Sequence, residues 1–461
     1  MVKRFGALRA RRVSETVSRP ADSPIAVVSP IAVASSIAVV SPIDVVSPML
    51  PPGGLDSLDD LEKVDRSAIV RRSSVFGPMF TGTTEGELCV CIVGLTLGRR
   101  FLQEHTSSLH PRTLELESLI PKGFLRQMGG DDHREYRRAV VRAARSLEAV
   151  VDRAVLDALV ARGLRDLATS GVDATPASGP SPLLRIAADV ATASLIVLFF
   201  GAVPGSGLFD RLQADFRRLG PFGLVWNLKE PQHRAFADLR SALREELTAL
   251  RRGDASVADE CVLAQLAVDG DVDETMLGNV IYMVEMGRQD IQVFFRWLLR
   301  YAAANPDALA RIADETAVPT PGSAMSAAEA FVLEVLRSDQ SERLMRRVTR
   351  EIVFDGYLIP KDAFVRICLW EAHHDTDVFA DPYRFDPERF RHLTPTKEQF
   401  SPFGLDHHQC PFASLSIGLG TTLLRGVAVA YDITIVDDAT PVRGAYHWEP
   451  SRRLRLRVAS R

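Results

Sequence analysis

The chain has 461 residues, 46% of them hydrophobic and 25% charged, with a formal net charge of −4. That length accommodates one large domain with a sizeable core. The near-balance of charge excludes the strongly basic surface of a nucleic-acid-binding protein.

Positive charge is carried almost wholly by arginine, lysine occurring only as Lys3, Lys63, Lys122, Lys229, Lys361 and Lys397. The cysteines, Cys89, Cys91, Cys261, Cys368 and Cys410, are odd in number and spaced like neither a disulfide framework nor a zinc site. This usage predicts a reducing, cytoplasmic setting.

From Ser23 to Pro48 the chain repeats a short unit: SPIAVV, SPIAVA, SSIAVV, SPIDVV, SP. Prolines 24, 30, 42 and 48 break any helix there. No uninterrupted apolar run in this extension reaches the roughly 18 residues a membrane span needs, and no clear cleavage site marks a signal peptide. Residues 1–52 are therefore expected to be a low-complexity, disordered extension, and 53–461 the folded domain.

Beyond Gly54 the pattern is mainly helical. Leu88–Val93 and Val365–Leu369 read as short strands. His133–Val150 is arginine-rich with helical spacing. Leu183–Phe200 is an apolar helix, Phe236–Arg252 an amphipathic one. Residues 201–232, with glycines, prolines, Phe222 and Trp226, read as a long irregular lid. Asp273–Asn305 is a very long helix that stops at Asn305-Pro306. Ser326 caps a helix running to Arg337, with Glu329 in the capping-box position. Residues 338–410 are rich in turns, and a last helix follows Pro411.

The informative segment is Phe400-Ser-Pro-Phe-Gly-Leu-Asp-His-His-Gln-Cys410-Pro-Phe-Ala. A cysteine just before a helix is held as thiolate by the free N–H groups and dipole of that helix, and such a thiolate can ligate iron.

This segment resembles the cysteine loop of the cytochrome P-450 family, F-G-x-G-x-H-x-C-x-G, through Phe403, Gly404, His408 and Cys410. Asp406 and Phe412 stand where the family has glycines. Further matches follow the family's order. Glu334-Val-Leu-Arg337 resembles E-x-x-R, and Asp381-Pro-Tyr-Arg-Phe-Asp-Pro-Glu-Arg389-Phe resembles F-x-P-x-R-F. Together they imply a buried structural cluster of Glu334, Arg337 and Arg389. His133 and Arg137 resemble the family's H-x-x-x-R pair for a haem propionate. Arg346, with Arg347 as its alternative, and His408 fall where the family places further propionate donors.

The resemblance implies a mostly α fold with a small β-rich lobe, the cytochrome P-450 fold. It implies haem b (iron protoporphyrin IX) with Cys410 as axial iron ligand. It also implies a small-molecule substrate and ferredoxin with ferredoxin reductase as electron donors. Arg134, Arg138 and Arg142 are the candidate docking residues for an acidic ferredoxin.

The long helix departs from the family. Where A-G-x-D/E-T is expected the chain reads Met286-Gly287-Arg288-Gln289-Asp290. Gly287 keeps the space for dioxygen, but the acid is Gln289 and the alcohol Asp290. Glutamine supplies no proton, whereas Asp290 can shuttle protons if its pKa is raised, or pair with a cationic substrate group. The expected pocket is lined by Met283, Glu285, Met286, Gly287, Asp290, Leu344 and Met345. Oxygen-dependent monooxygenation or oxidative tailoring in specialised metabolism is one reading. The others are a peroxide-driven or reductant-free haem-thiolate enzyme and a non-catalytic haem-binding protein. A helical scaffold without haem would be colourless.

Overall fold

Asp273 ends an extended stretch, and its carboxylate accepts a hydrogen bond from the Met276 N–H at 2.7 Å. This cap starts the central helix, Glu274–Ala304, which stops at Asn305 as the following proline requires. The structure is a computed structural model. It describes residues 48–461 except 112–118, 151–152, 171–179, 221–227, 255–259, 269, 271, 318–324, 340–343 and 445–447, and the side chains of 149, 150 and 406. The hexapeptide repeat before Pro48 lies outside the described residues.

The central helix is buried on nearly every side because its neighbours are apolar helices. One is Pro182–Phe200, started by Ser181, whose hydroxyl accepts from Leu184 N–H. Another is Ala413–Ala430, which Gly420 brings so close that an added Cβ there would lie 2.8 Å from the Phe294 ring. Trp297, Leu298 and Phe295 are fully buried in this contact region, each contributing roughly 1.5–3 kcal/mol. Both flanking helices are long and apolar enough to cross a bilayer; in this fold both pack against the central helix. The arginine-rich helix (Gly130–Val150), Glu230–Arg252 and the capped helix Ala327–Ser338 complete the helical part that concerns the site.

The β lobe uses β1 (Met79–Thr84), β2 (Glu87–Val93), β3 (Leu109–Pro111), β4 (Leu344–Val348), β5 (Ile352–Phe354), β6 (Tyr357–Ile359) and β7 (Phe364–Cys368). Five of them form one sheet in the order β1-β2-β7-β4-β3, with β5 and β6 a separate hairpin. β2 and β7 run parallel, pairing Val90 with Val365 and Ile92 with Ile367. Val90, Ile92, Val365 and Ile367 fill one face of this pair, and Cys89, Cys91, Phe364 and Cys368 the other, where Arg366 is buried against Glu62 and Glu371.

The expected mostly α fold with a small β lobe is present, and the two expected strands appear as β2 and β7. Residues 48–52, placed in the extension by the sequence, are bonded to the body of the fold. Prolines donate no backbone N–H but still accept. Thr81 N–H bonds Pro52 O at 2.7 Å, and Leu358 N–H bonds Met49 O at 2.8 Å. The expected irregular lid is also corrected. Gly207–Leu219 is a regular amphipathic helix capped by the Ser206 hydroxyl and packed on Glu230–Arg252. Phe222 and Trp226 lie outside the described residues.

Candidate functional site

The site is built outward from a buried ion cluster. Glu334 and Arg337 lie one turn apart on the capped helix, and both side chains are wholly buried. Arg337 donates two bonds of 2.8 Å to the two Glu334 oxygens, then one each to the backbone oxygens of His373 and Pro382 at 3.0 and 2.8 Å. Arg389 approaches Glu334 at 3.5 Å, and Asp386 N–H donates to it at 2.9 Å. The bonding around the Glu334–Arg337 pair is what a buried charge requires.

The cluster reaches the cysteine loop through His373. Its backbone oxygen is held by Arg337, and its Nε2 accepts from Ser401 N–H at 3.0 Å. Burial holds the His373 imidazole down to about 3, neutral as this acceptor role demands. The Phe400 ring packs on His373, with ring centroids 5.1 Å apart. Beyond it the loop turns at Gly404, whose φ of 93° lies in the left-handed region that favours glycine. Cys410 N–H then donates to Phe403 O at 3.0 Å. This places Cys410 half-exposed, facing a cavity just before the Ala413–Ala430 helix.

The cavity has a volume of about 260 Å³. One wall is the cysteine loop, with Pro402, Phe403, Gly404, His408, Cys410 and Phe412. Phe412 turns its ring onto Phe199 of the apolar helix, at a centroid distance of 4.8 Å. A cationic edge comes from His133 and Arg137 of the arginine-rich helix, with Arg126 and His408. Arg137 donates to Gln409 O, tying this helix to the loop. Burial, then neighbouring His407 and arginines, lowers His133 to about 4; its ring lies 4.8 Å from that of His408.

The distal wall is the central helix. Met283, Met286, Gly287, Asp290 and Ile291 line the cavity, a spacing that puts them on one helical face. An added Cβ on Gly287 would meet Leu195 Cδ1 at 3.3 Å. The next face carries Glu285, Arg288, Gln289 and Gln292, all buried. Arg288 donates to both Glu285 oxygens at 2.8 and 2.9 Å and to Gly220 O. Gln289 bonds the same carbonyl at 3.3 Å and accepts from Gln292. Burial raises the Glu285 carboxyl to about 7, against the pull of Arg288.

Of the expected residues, the structure brings Cys410, His133, Arg137, His408, Phe403, Gly404, Met283, Met286, Gly287, Asp290 and Leu344 to one cavity, and assembles Glu334, Arg337 and Arg389 behind it. Glu285 and Gln289 are corrections: they sit about 100° off the cavity stripe, on the helix face that bonds Gly220. Met345 is another, because β4 alternates. Leu344 faces the cavity while Met345 packs with Cys89, Cys91 and Cys368. The same alternation separates the two arginine candidates. Arg346 is buried and acts on the His408 charge, whereas Arg347 points out to Glu87 at 2.8 Å. Arg346 itself does not line the cavity. Arg126, Leu195 and Phe199 are cavity residues that the sequence did not single out.

Residues 293–424 match the family model described as cytochrome P-450. The chain is 25% identical over 231 residues to abscisic acid 8'-hydroxylase 1 of Arabidopsis thaliana, 47% of this chain and 49% of that protein. It is 27% identical over 175 residues to cytochrome P-450 1A1 of Chelon auratus, 34% of each. The chain thus spans about half or less of the length of the curated relatives it matches. Its fold superposes on a retinoic acid-bound cyanobacterial CYP120A1 with a TM-score of 0.67 at 22% identity, covering 90% of this chain and all of that one. A cytochrome P-450EX alpha (CYP152N1) with myristic acid gives 0.64 at 16% identity, with the same coverage.

Proposed function

Because the chain belongs to the cytochrome P-450 superfamily, we propose that it is a haem-thiolate oxidoreductase that inserts oxygen into, or oxidatively tailors, a small organic molecule. The observation that carries this reading is Cys410 facing a cavity at the start of a helix, with Gly287 on the distal wall.

The residues present fit haem b. Cys410 presents its sulfur to the cavity before the free N–H groups of the Ala413–Ala430 helix, which favour thiolate. Arg126 and Arg137 on the cationic edge suit two carboxylates, such as the propionates. His133 and His408, held neutral by burial, add N–H donors beside them. Haem bound through a cysteine thiolate supplies the electron donation that favours O–O cleavage.

The protein's own share is positioning. The Glu334–Arg337–His373 chain fixes the cysteine loop. Phe199, Phe412, Leu195 and the two methionines exclude water. Asp290 is the group on the cavity stripe able to hold or move a proton. The exposed Arg134, Arg138 and Arg142 offer a basic face for a separate acidic electron donor such as ferredoxin.

A second reading, haem-thiolate chemistry driven by peroxide or needing no external reductant, is favoured by one observation. Gln289, in the expected acid position, bonds Gly220 O and is not among the described residues that line the cavity. The first test is the absorption spectrum of the reduced, carbon monoxide-treated protein. A strongly red-shifted Soret band, lost in Cys410→Ser, is expected; no haem, or a band unchanged in the variant, overturns the assignment. Consumption of NAD(P)H through a ferredoxin system coupled to product separates the first reading from turnover with peroxide alone.

A further inference from the structure

Phe124, Leu125 and Arg126 line the cavity from an irregular stretch, residues 119–128, in which turns and bends replace helix and strand. Asn279 holds this stretch in place. It is wholly buried on the central helix, one turn before Met283 and in line with the cavity stripe. Its side-chain oxygen accepts from Leu125 N–H at 2.6 Å, and its amide nitrogen donates to Gly123 O at 3.2 Å and Thr275 O at 2.8 Å. The side chain must therefore accept and donate at once, which an amide does and a carboxylate or an apolar group of the same shape does not. Close packing completes the fit. An added Cβ on Gly278 would lie 3.0 Å from Ile120, and the Phe124 ring meets Tyr282 edge-on with centroids 4.1 Å apart.

Resting on the haem-thiolate reading above, we propose that Asn279 is a positioning residue for the cofactor: by holding the backbone at Gly123 and Leu125 it sets Arg126 where a haem carboxylate is bound. Arg126 follows Leu125 directly, so the Leu125 bond fixes the peptide from which it projects. It belongs to the cationic edge, where burial first, and then a set of cations that includes Arg126, lowers the His408 pKa. Without the amide, Gly123 O and Leu125 N–H would lose their partners in a buried place, a penalty that the stretch relieves by shifting toward water. Arg126 would shift with it. An arginine–carboxylate contact depends on the geometry of its paired N–H donors, so a displaced Arg126 holds the carboxylate less well.

The test compares two cofactors on the full-length protein: haem, and haem dimethyl ester, whose carboxylates are masked. The rate at which each passes from the loaded protein to apomyoglobin is measured. Their ratio reads the carboxylate contact apart from any general loosening of the fold. In Asn279→Leu, which keeps the shape of the side chain and removes its bonds, the preference for haem is expected to fall about tenfold. Asn279→Ser, whose hydroxyl folds back onto the Thr275 carbonyl and falls short of the stretch, should do the same if the leucine variant does not fold. Arg126→Gln should lower the preference as far, and adding Asn279→Leu to it should lower it no further. Trp297→Phe, which loses a buried bond to Trp448 O on the same helix, should weaken the fold and leave the preference unchanged. A preference that survives both Asn279 variants, that falls further when the Asn279 and Arg126 changes are combined, or that falls as much in Trp297→Phe overturns the inference and leaves the haem assignment standing. A wild-type protein that takes up no haem overturns the assignment itself, and this inference with it.

Discussion

The two walls of the cavity are built on different principles. The cysteine side is held by a closed network in which Glu334, Arg337, His373 and Ser401 bond one another in sequence. The distal side is one face of a helix, along which Met283, Met286, Gly287, Asp290 and Ile291 line the cavity. The family match follows the same division. It runs from residue 293 through the cysteine loop to 424, and begins just after the cavity stripe that ends at Ile291. A network whose buried charges hold one another admits little change, whereas a stripe of side chains along one helix face is where a new specificity can be written.

The sharpest way to break this comparison is to attack both buried ion pairs. Glu334→Gln leaves Arg337 and Arg389 facing a neutral amide in full burial, and should cost about 3–5 kcal/mol. It should also lower haem content, because the network positions the cysteine loop. Thermal unfolding together with the ratio of haem to protein absorbance measures both. Glu285→Gln is the matched change on the distal side. With its carboxyl pushed up to about 7 by burial, Glu285 is about half protonated at pH 7, so its replacement by a neutral amide should cost about 1–2 kcal/mol. Equal losses in the two variants would erase the distinction between the walls.

How much of this was legible in the sequence follows the same line. The cysteine side was readable because its chemistry is compressed into short spacings. Glu334 and Arg337 are one helical turn apart, and Phe403, Gly404, His408 and Cys410 share a single loop. The distal side was misread wherever a motif position was taken for a direction. Gln289 occupies the expected acid position, yet the 3.6-residue period turns it to the face beside Gly220. Met345 was placed on the cavity although strand alternation sends it, and Arg347, to the opposite face from Leu344. Arg126 gave no signal at all, being a lone arginine in an irregular segment. Leu195 and Phe199 were hidden because their helix is apolar nearly all round, so no one face stands out.

The walls also titrate in opposite senses. His373 has a folded pKa of about 3 against an ordinary 6.5. Its contribution is fully present above pH 6.5 and is lost as pH falls toward 3, because the unfolded chain takes up the proton that the fold refuses. Glu285 has a folded pKa of about 7 against an ordinary 4.5. Its contribution is fully present below pH 4.5 and is lost as pH rises through 7. Between 4.5 and 6.5 the two slopes oppose each other. In Glu285→Gln the compensating slope is gone, so stability should fall faster with acid than in the wild type, by about 1.4 kcal/mol per pH unit in that window. Urea unfolding at stepped pH reads the difference directly. Parallel slopes would mean that Glu285 stays ionised in its buried site.

The smallest expected effect is at Gly287. Alanine there puts a methyl 3.3 Å from Leu195 Cδ1, the end of a flexible side chain at the cavity edge. Helix propensity favours alanine over glycine by about 1 kcal/mol, and the slight crowding takes back part of that. Gly287→Ala should therefore leave the melting temperature unchanged or raise it slightly, while the added methyl narrows the space between the central helix and Cys410. If glycine is kept for that space, carbon monoxide binding to the reduced protein should slow in the variant although the fold is no weaker. If both stability and ligand binding are untouched, the space above Cys410 is set by Leu195 and Met286 instead, and Gly287 is only a helix residue.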